Sequence, residues 1–351
     1  MSEDMYLKLR EALDKMPGGF PETDSGVELK ILKKLFTPEQ AEIALNMKPM
    51  PEPVDKIAER LGIDKSEAAR KLEKMSKDGL IYRVRMGDKI LYMALQFAVG
   101  VYEFNLNRID RELSELMEEY IPHISKSWMK TPTKQLRILP VESSLESAPS
   151  VAPYNQVREM VKKQDLISVA QCICRKEQTL LGNQCDRPQE LCFQFGMAAN
   201  YYLENGMSRK IDVEEALKLL NLAEDNAMVL SPTNAQNILS LCCCCKCCCG
   251  VLRGLSQFDR PADLVHSGYQ AKIDPELCSA CETCVDRCQI DAIKENGDVM
   301  EIDTARCIGC GLCVSTCPDE AISMVEKEKA YVPPENMVAM MMQITKERNL
   351  T

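Results

Sequence analysis

The chain has 351 residues, a net charge of −10 and 19 cysteines. Its hydrophobic fraction of 45% and charged fraction of 27% are ordinary for globular proteins, which excludes wholesale disorder. The first residues are acidic and lack the pattern of a signal peptide, and the longest nearly apolar run, 90–102, is too short to span a bilayer. We therefore expect a cytoplasmic protein, in which this many thiols indicate metal or redox chemistry rather than disulfides.

The length predicts two or three domains, and the cysteines and charges suggest where they divide. No cysteine precedes Cys172. Residues 132–153 are rich in proline and serine, including Ser143, Ser144, Ser147 and Ser150, and this composition disfavours both helix and sheet. We expect a multidomain α+β protein made of a front segment (1–130), a cysteine-rich, mainly helical middle segment (131–260), a back segment (261–330) and a tail helix (331–351).

The front segment has the pattern of several helices followed by a β-ribbon. Gly62 ends one predicted helix, Asp64 and Glu67 suit the start of the next, and Gly79 ends it. The turn 86–88 joins two strand-like runs. The predicted helices cover 27–36, 37–47, 54–61, 64–78 and about 107–120, and the predicted strands cover 80–85 and 89–95.

This order of elements resembles a winged helix-turn-helix domain, which implies a DNA-binding surface. The basic residues concerned are Lys65, Arg70, Lys71, Lys74 and Lys77 on the second helix and Arg83 and Arg85 on the wing. Between residues 54 and 95, however, ten basic residues face seven acidic ones, a weak surplus for binding phosphates. The alternative is that the fold serves as a protein-docking module, and the sequence favours it.

The middle segment holds eleven cysteines in two groups. Four are spread over 172–192, and seven of the eight positions from 242 to 249 are cysteine. Neighbouring side chains diverge in either a helix or a strand, so these seven cannot all bind one four-ligand centre. Between the groups, Gly206 ends one predicted helix and Asp212 begins another. The candidate metal ligands are Cys172, Cys174, Cys185, Cys192, Cys242, Cys245 and Cys248.

The back segment contains a duplicated cysteine motif. Its two copies are offset by 29 residues, and each has three cysteines at intervals of three, followed by a fourth cysteine four positions later. We expect each copy to fold as a strand, a ligand loop, a short helix and a strand. The cysteines are Cys278, Cys281, Cys284 and Cys288 in the first copy and Cys307, Cys310, Cys313 and Cys317 in the second.

The second copy ends in Cys317-Pro318, and the pair of motifs strongly resembles the bacterial dicluster ferredoxins. The resemblance implies two [4Fe–4S] clusters, in which the fourth cysteine of each copy binds the cluster of the other copy. Gln289 departs from the family, which often has proline there. Structural zinc, which usually takes separated CxxC pairs, fits this spacing poorly. The implied ligand sets are Cys278, Cys281, Cys284 and Cys317 for one cluster, and Cys307, Cys310, Cys313 and Cys288 for the other.

The middle segment resembles cysteine-rich parts of multi-cluster iron–sulfur proteins of anaerobes. That resemblance favours one or more additional iron–sulfur clusters. Zinc binding and buried structural cysteines are the two alternatives that stay open.

The sequence contains none of the common motifs for binding nucleotides or catalytic zinc. His123, His266 and Trp128 have no evident chemical partners, so we predict no catalytic residue. The leading hypothesis is an electron-transfer subunit or adaptor of an anaerobic oxidoreductase complex, whose redox partner has a basic docking patch. The alternatives are a cluster-sensing transcription regulator and, less favoured, catalysis at a cluster with an open coordination site.

Overall fold

The computed structural model describes residues 2–145, 151–329 and 331–350. Helices and strands are mixed along the chain, which confirms the α+β class. None of the helices in these ranges is both long enough and apolar enough to cross a membrane. Ser147, Pro149 and Ser150 of the predicted Pro/Ser-rich stretch lie outside the described residues.

The front segment folds close to the pattern expected from its caps. Thr37 and Gln40 form a reciprocal capping box, and the Asp64 carboxylate accepts hydrogen bonds from the Ser66 and Glu67 amides. Gly62 ends α4 in the left-handed conformation. The helices are α1 (Ser2–Asp14), α2 (Val27–Leu35), α3 (Pro38–Leu45), α4 (Val54–Leu61), α5 (Lys65–Lys77), α6 (Tyr102–Phe104) and α7 (Arg111–Lys130).

The front segment also contains a three-stranded antiparallel sheet. Strand β1 (Glu52–Pro53) precedes α4, whereas β2 (Tyr82–Met86) and β3 (Lys89–Met93) follow α5. The order of the strands in the sheet is β1-β3-β2. Helix α7 runs beyond the predicted end at residue 120. It continues past Pro122 because Ile121 and Ile124 extend its buried face.

The middle segment contains a five-stranded antiparallel sheet in the order β6-β4-β5-β8-β7. The prediction of a mainly helical segment missed this sheet, because its strands are only four or five residues long and rich in Cys and Ser. The strands are β4 (Ile167–Ala170), β5 (Cys192–Phe195), β6 (Ser208–Ile211), β7 (Val229–Pro232) and β8 (Ser240–Cys244). The helices are α8 (Val157–Lys162), α9 (Ile173–Leu180), α10 (Gly196–Glu204), α11 (Val213–Asp225) and α12 (Gly250–Ser256).

The Pro/Ser-rich stretch packs against this sheet. Leu139 forms an isolated β-bridge to Leu230 in β7. Leu136 forms another to Thr233, the residue that follows β7. Leu139 is fully buried. The stretch lacks regular helix or strand where it is described apart from a short 3₁₀ turn at Glu142–Leu145, yet it contributes to the core.

The back segment forms two antiparallel strand pairs that reflect its internal duplication. Strand β9 pairs with β12, and β10 pairs with β11. The first copy has a short helix after its ligand loop, as predicted, whereas the second copy has only turns there. The elements are β9 (Tyr269–Ile273), α13 (Thr283–Arg287), β10 (Ile293–Asn296), β11 (Val299–Ile302), β12 (Ile322–Glu326) and the tail helix α14 (Met337–Glu347).

Two hydrophobic cores hold these elements together, and neither stays within one segment. One core joins the middle sheet to the back segment, for example through Phe193, Leu241 and Ile308. The other joins the front segment to parts of the middle segment, for example through Phe97, Tyr120 and Tyr201. Burial of these large apolar side chains is the main stabilising term for the contacts between segments.

Candidate metal centres

The back segment brings its eight cysteines together as two separate sets of four. Each set lines its own cavity, and each cavity takes three cysteines from one copy of the motif and the fourth from the other copy. One cavity is lined by Cys278, Cys281, Cys284 and Cys317. The other is lined by Cys288, Cys307, Cys310 and Cys313.

Backbone amides donate hydrogen bonds to sulfurs in both cavities. The Met300 N–H donates to Cys278 Sγ at 3.4 Å. The Ala292 N–H donates to Cys288 Sγ at 3.2 Å, and the Ala271 N–H donates to Cys307 Sγ at 3.5 Å. Such donors stabilise the charged form of a thiolate, and hydrogen bonds to sulfur help set the potential of an iron–sulfur centre.

Two glycines allow the backbone to fold tightly beside the cavity that contains Cys307. A Cβ atom on Gly309 would lie 2.1 Å from the Tyr269 carbonyl oxygen, and one on Gly311 would lie 2.2 Å from Ser144 Oγ. Both residues also have a positive φ, at 74° and 73°. The loop therefore requires glycine at both positions for conformation and for space.

Burial disfavours free thiolates in these cavities. It raises the pKa of Cys284 to about 11 and that of Cys310 to about 12. By contrast, a hydrogen bond with Thr283 lowers the pKa of the exposed Cys281. Thiols with a raised pKa need a cation to become thiolate ligands, and metal binding supplies that positive charge. The donor chemistry and the grouping of these cysteines fit a pair of thiolate-bound clusters.

The sheet of the middle segment also gathers thiols. Cys192 and Cys242 are direct partners in the antiparallel register of β5 and β8, so their side chains share one face. Cys244 lies two residues along β8 and shares that face, whereas Cys243 points to the opposite face, on which it is buried in the core. Cys172 lies at the start of α9.

Six sulfurs form a connected set that we call the central thiol group. Each thiol lies near enough to the next to change its pKa, which links the six in a chain. In the order of the chain of contacts, the group is Cys172, Cys174, Cys249, Cys244, Cys242 and Cys192. The neighbouring Cys174 thiol, together with burial, raises the pKa of Cys172 well above its usual value. A metal cluster would remove the cost of bringing so many thiols together.

The surroundings of the central thiol group come from both the front and the middle segments. The Gln194 amide donates to Cys192 Sγ at 3.2 Å. Glu177, three residues after Cys174, is fully buried and accepts a hydrogen bond from the Tyr102 hydroxyl. Burial is the main cause that raises the pKa of the Glu177 carboxyl to about 7.

A second set in the middle segment, which we call the turn thiol group, consists of Cys185, Cys245, Cys247 and Cys248. All four sulfurs lie within 4.8 Å of one another. Cys185 Sγ is 3.5 Å from Cys247 Sγ and 4.0 Å from Cys245 Sγ. The three later cysteines come together because the Cys248 and Cys249 amides both donate to the Cys245 carbonyl, which closes a tight turn.

The candidates predicted from sequence are therefore divided between two groups. Cys172, Cys174, Cys192 and Cys242 join the central thiol group, and the other three, Cys185, Cys245 and Cys248, join the turn thiol group. Cys244, Cys247 and Cys249 were not among the candidates named from sequence, and the structure places them in these two groups. The signal that was available for Cys244 is the alternation of side chains along a strand, once 240–244 is recognised as a strand.

The two arginines predicted on the wing contact the middle segment. Arg83 is buried and donates to Glu204 at 2.6 Å and to Glu73 at 2.9 Å, while Arg85 donates to Glu204 at 2.6 Å. On α5, Lys71 is paired with Glu39 and Glu67. These contacts occupy much of the basic surface that was considered for DNA.

Two of the other residues considered in the sequence make contacts outside the thiol groups. His266 stacks on Tyr331 with ring centroids 3.9 Å apart, and the Trp128 indole donates to the Gly18 carbonyl at 2.7 Å. His123 lies within α7.

The comparisons with known proteins identify one part of the chain. Residues 271–324 match the family model described as a 4Fe-4S dicluster domain. No match was found among curated proteins or among solved structures. The matched residues include all eight cysteines that line the two cavities of the back segment. The chain therefore carries a 4Fe–4S ferredoxin-type domain near its C-terminal end.

Proposed function

We propose that the protein transfers single electrons as a subunit or adaptor of an oxidoreductase complex. The observation that carries this proposal is the division of the eight back-segment cysteines into two cavities of four within a 4Fe–4S dicluster domain. Bound [4Fe–4S] clusters supply one-electron centres. The protein's own residues position the thiolates, donate amide hydrogen bonds to sulfur and restrict access of water.

The ligands follow the crossed pattern expected from the sequence. One cluster would be held by Cys278, Cys281, Cys284 and Cys317, and the other by Cys307, Cys310, Cys313 and Cys288. The amide donors at Ala271, Ala292 and Met300 act on three of these sulfurs. They favour the thiolate form and would shift the cluster potentials.

The middle segment supports an additional iron–sulfur centre at the central thiol group. Six thiols exceed the four that one [4Fe–4S] cluster takes, so the group has ligands for one cluster with thiols to spare or for a larger cluster. The back segment packs directly onto the middle segment. Arg287 donates to the Asp225 carbonyl at 2.8 Å, and the Val141 amide donates to the Cys310 carbonyl at 3.0 Å.

The redox partner is expected to present a basic surface. Residues 271–326 contain four basic and twelve acidic side chains, a balance of −8. Complementary charge speeds association, and salt screens it. In this proposal the winged-helix-like part of the front segment serves in docking, because its Arg83 is already committed to Glu204.

The second candidate is a cluster-sensing regulator that binds DNA through α5. The observation in its favour is that Lys65 and Arg70 are exposed on that helix. Lys74 and Lys77 are also exposed, but they form ion pairs with Asp78 and Glu73.

One experiment separates the two candidates. The full chain, purified without oxygen and reduced with dithionite that is then removed, is mixed at low salt either with a basic electron acceptor such as cytochrome c or, in both reduced and oxidised forms, with duplex DNA. Electron transfer to the acceptor that slows as salt is added, without retention of DNA, supports the proposed function. Salt-dependent retention of DNA that depends on cluster oxidation state, together with failure to reduce the acceptor, contradicts it and supports the regulator.

A further inference from the structure

The turn thiol group differs in spacing from every other cysteine set in the molecule. Its sulfurs are the one set of three or more thiol, imidazole or carboxylate ligand atoms, within the described residues, that lie within 4.8 Å of one another. The sulfurs that line the two back-segment cavities are not gathered this tightly. The sulfurs of the turn thiol group are therefore closer together than those of the cysteine sets that fit a cluster.

The spacing matches four ligands around one ion. A tetrahedral ion with metal–sulfur bonds of about 2.3 Å places its sulfurs about 3.8 Å apart. The measured separations are 3.5 Å for Cys185–Cys247, 3.7 Å for Cys247–Cys248 and 4.0 Å for Cys185–Cys245. In a [4Fe–4S] cluster each thiolate binds a different iron, so the sulfurs must lie farther apart.

We propose that Cys185, Cys245, Cys247 and Cys248 bind a single tetrahedral metal ion, zinc or iron, and not a [4Fe–4S] cluster. Four sulfur ligands in this geometry select these two metals. The site is complete within one chain and needs no bridging sulfide. This inference does not depend on the proposed electron-transfer function, because a single zinc ion would be structural.

Basic side chains beside the group suit the charge of such a site. Four thiolates around a divalent ion carry a net charge of −2. Arg187 Nη1 lies 3.8 Å from Cys247 Sγ. Arg175 is almost completely buried and donates to the carbonyl of Cys243, two residues before Cys245, at 3.0 Å. These guanidinium groups reduce the electrostatic cost of four neighbouring thiolates.

The turn that carries three of the ligands is anchored to the back segment. The Lys246 amide donates to Gln289 Oε1 at 3.0 Å, and the Lys246 ammonium pairs with Asp291 at 2.7 Å. Gln289 is buried and directly follows Cys288 in the sequence. The glutamine that departs from the ferredoxin pattern therefore holds the metal-binding turn against the dicluster domain.

The test compares the wild-type chain with Cys185→Ala and with Cys243→Ala, after anaerobic purification. Cys243 is a matched control because it lies on β8 beside the turn and faces the core. Zinc, iron and acid-labile sulfide are counted per chain. We expect Cys185→Ala to lose one ion, zinc or iron, with sulfide unchanged, and Cys243→Ala to lose none. Parallel loss of iron and sulfide, or no loss of metal, would overturn the proposal.

X-ray absorption of the wild-type protein provides a test that does not require a variant to fold. Where the ion is zinc, the zinc edge should show four sulfur neighbours at about 2.3 Å and no iron neighbour. Where it is iron, the intact protein should show the Mössbauer signal of one high-spin iron with four sulfur ligands, distinct from cluster iron. Absence of both signatures from the wild-type protein contradicts the assignment.

Discussion

Cys192 and Cys242 lie directly opposite each other on neighbouring antiparallel strands, although fifty positions separate them in the sequence. Their pairing fixes which face of β8 carries thiols, because side chains alternate along a strand. The same register places Cys243 on the other face. Substitutions of these two adjacent cysteines are therefore expected to differ in their effect on the metal content of the chain.

The first prediction concerns this pair of adjacent cysteines. Cys242→Ala should lower the iron and sulfide content of the anaerobically purified chain, because it removes a member of the central thiol group. Cys243→Ala should leave both contents unchanged and only reduce stability, since deleting a buried sulfur leaves a small cavity. Equal iron and sulfide contents in the two variants would count against Cys242 as a cluster ligand.

The second prediction uses two glycines that share a positive φ but differ in surroundings. Gly309→Ala forces a Cβ to within 2.1 Å of the Tyr269 carbonyl oxygen, whereas a Cβ on Gly297 meets no atom within 4 Å. Gly297→Ala should therefore cost about 1 kcal/mol of stability, for the left-handed conformation alone. Gly309→Ala should cost more and should also reduce cluster incorporation, which thermal unfolding and iron analysis would measure. Similar losses from both variants would show that the close approach is unimportant.

The third prediction concerns the contact between the front and middle segments. The Arg83 side chain is 1% exposed between Glu73 and Glu204, while that of Arg85 is 38% exposed. Arg83→Ala leaves two carboxylates without their buried partner and should cost about 3 kcal/mol in the free energy of unfolding. Arg85→Ala should cost less than about 1 kcal/mol. Denaturant titration measures both, and a small effect of Arg83→Ala would contradict the buried ion-pair network.

The fourth prediction is a pH dependence from Glu177. Burial raises the pKa of its carboxyl from 4.5 to about 7, so the folded state binds the proton more tightly than the unfolded state. Its contribution to stability should therefore fall as the pH rises from 4.5 to about 7 and then stay constant. Glu177→Gln removes this titration and keeps an acceptor for Tyr102, so the variant should gain stability relative to wild type across that range.

A control for this pH dependence is available on the surface. Glu214 has a side chain that is 79% exposed, so Glu214→Gln is the matched substitution at a solvent-exposed position. Stability is measured by chemical denaturation at several values between about pH 5 and 8. Parallel profiles for wild type and Glu177→Gln would contradict the raised pKa.

Local patterns explain why part of the molecule was predictable. The caps at Asp64 and Gly62 lie beside the helices they bound, so α4 and α5 could be placed from sequence alone, whereas α1 was not predicted. The back-segment cysteines are likewise ordered by short spacings. The structure gathers them into the two sets of four that the ferredoxin resemblance implies.

The remainder depends on contacts between residues far apart in sequence. Arg83 gave no sign of burial, because its partner Glu204 is 121 residues away. The run of cysteines from 242 to 249 contained no local signal that its first half is a strand and its second half a turn. Cys185 is 60 residues from Cys245 in sequence and reaches that turn only through the tertiary fold, so its four-sulfur site could not be derived from spacing.

The most direct test of the central claim is a count of iron and acid-labile sulfide in the anaerobically purified full chain, combined with a reductive titration followed by EPR. One-electron transfer by the dicluster domain predicts at least about eight iron and eight sulfide per chain, with paramagnetic [4Fe–4S] signals that appear on reduction. An additional cluster at the central thiol group predicts clearly more than eight of each. A chain that contains zinc without sulfide and accepts no electrons would contradict the account.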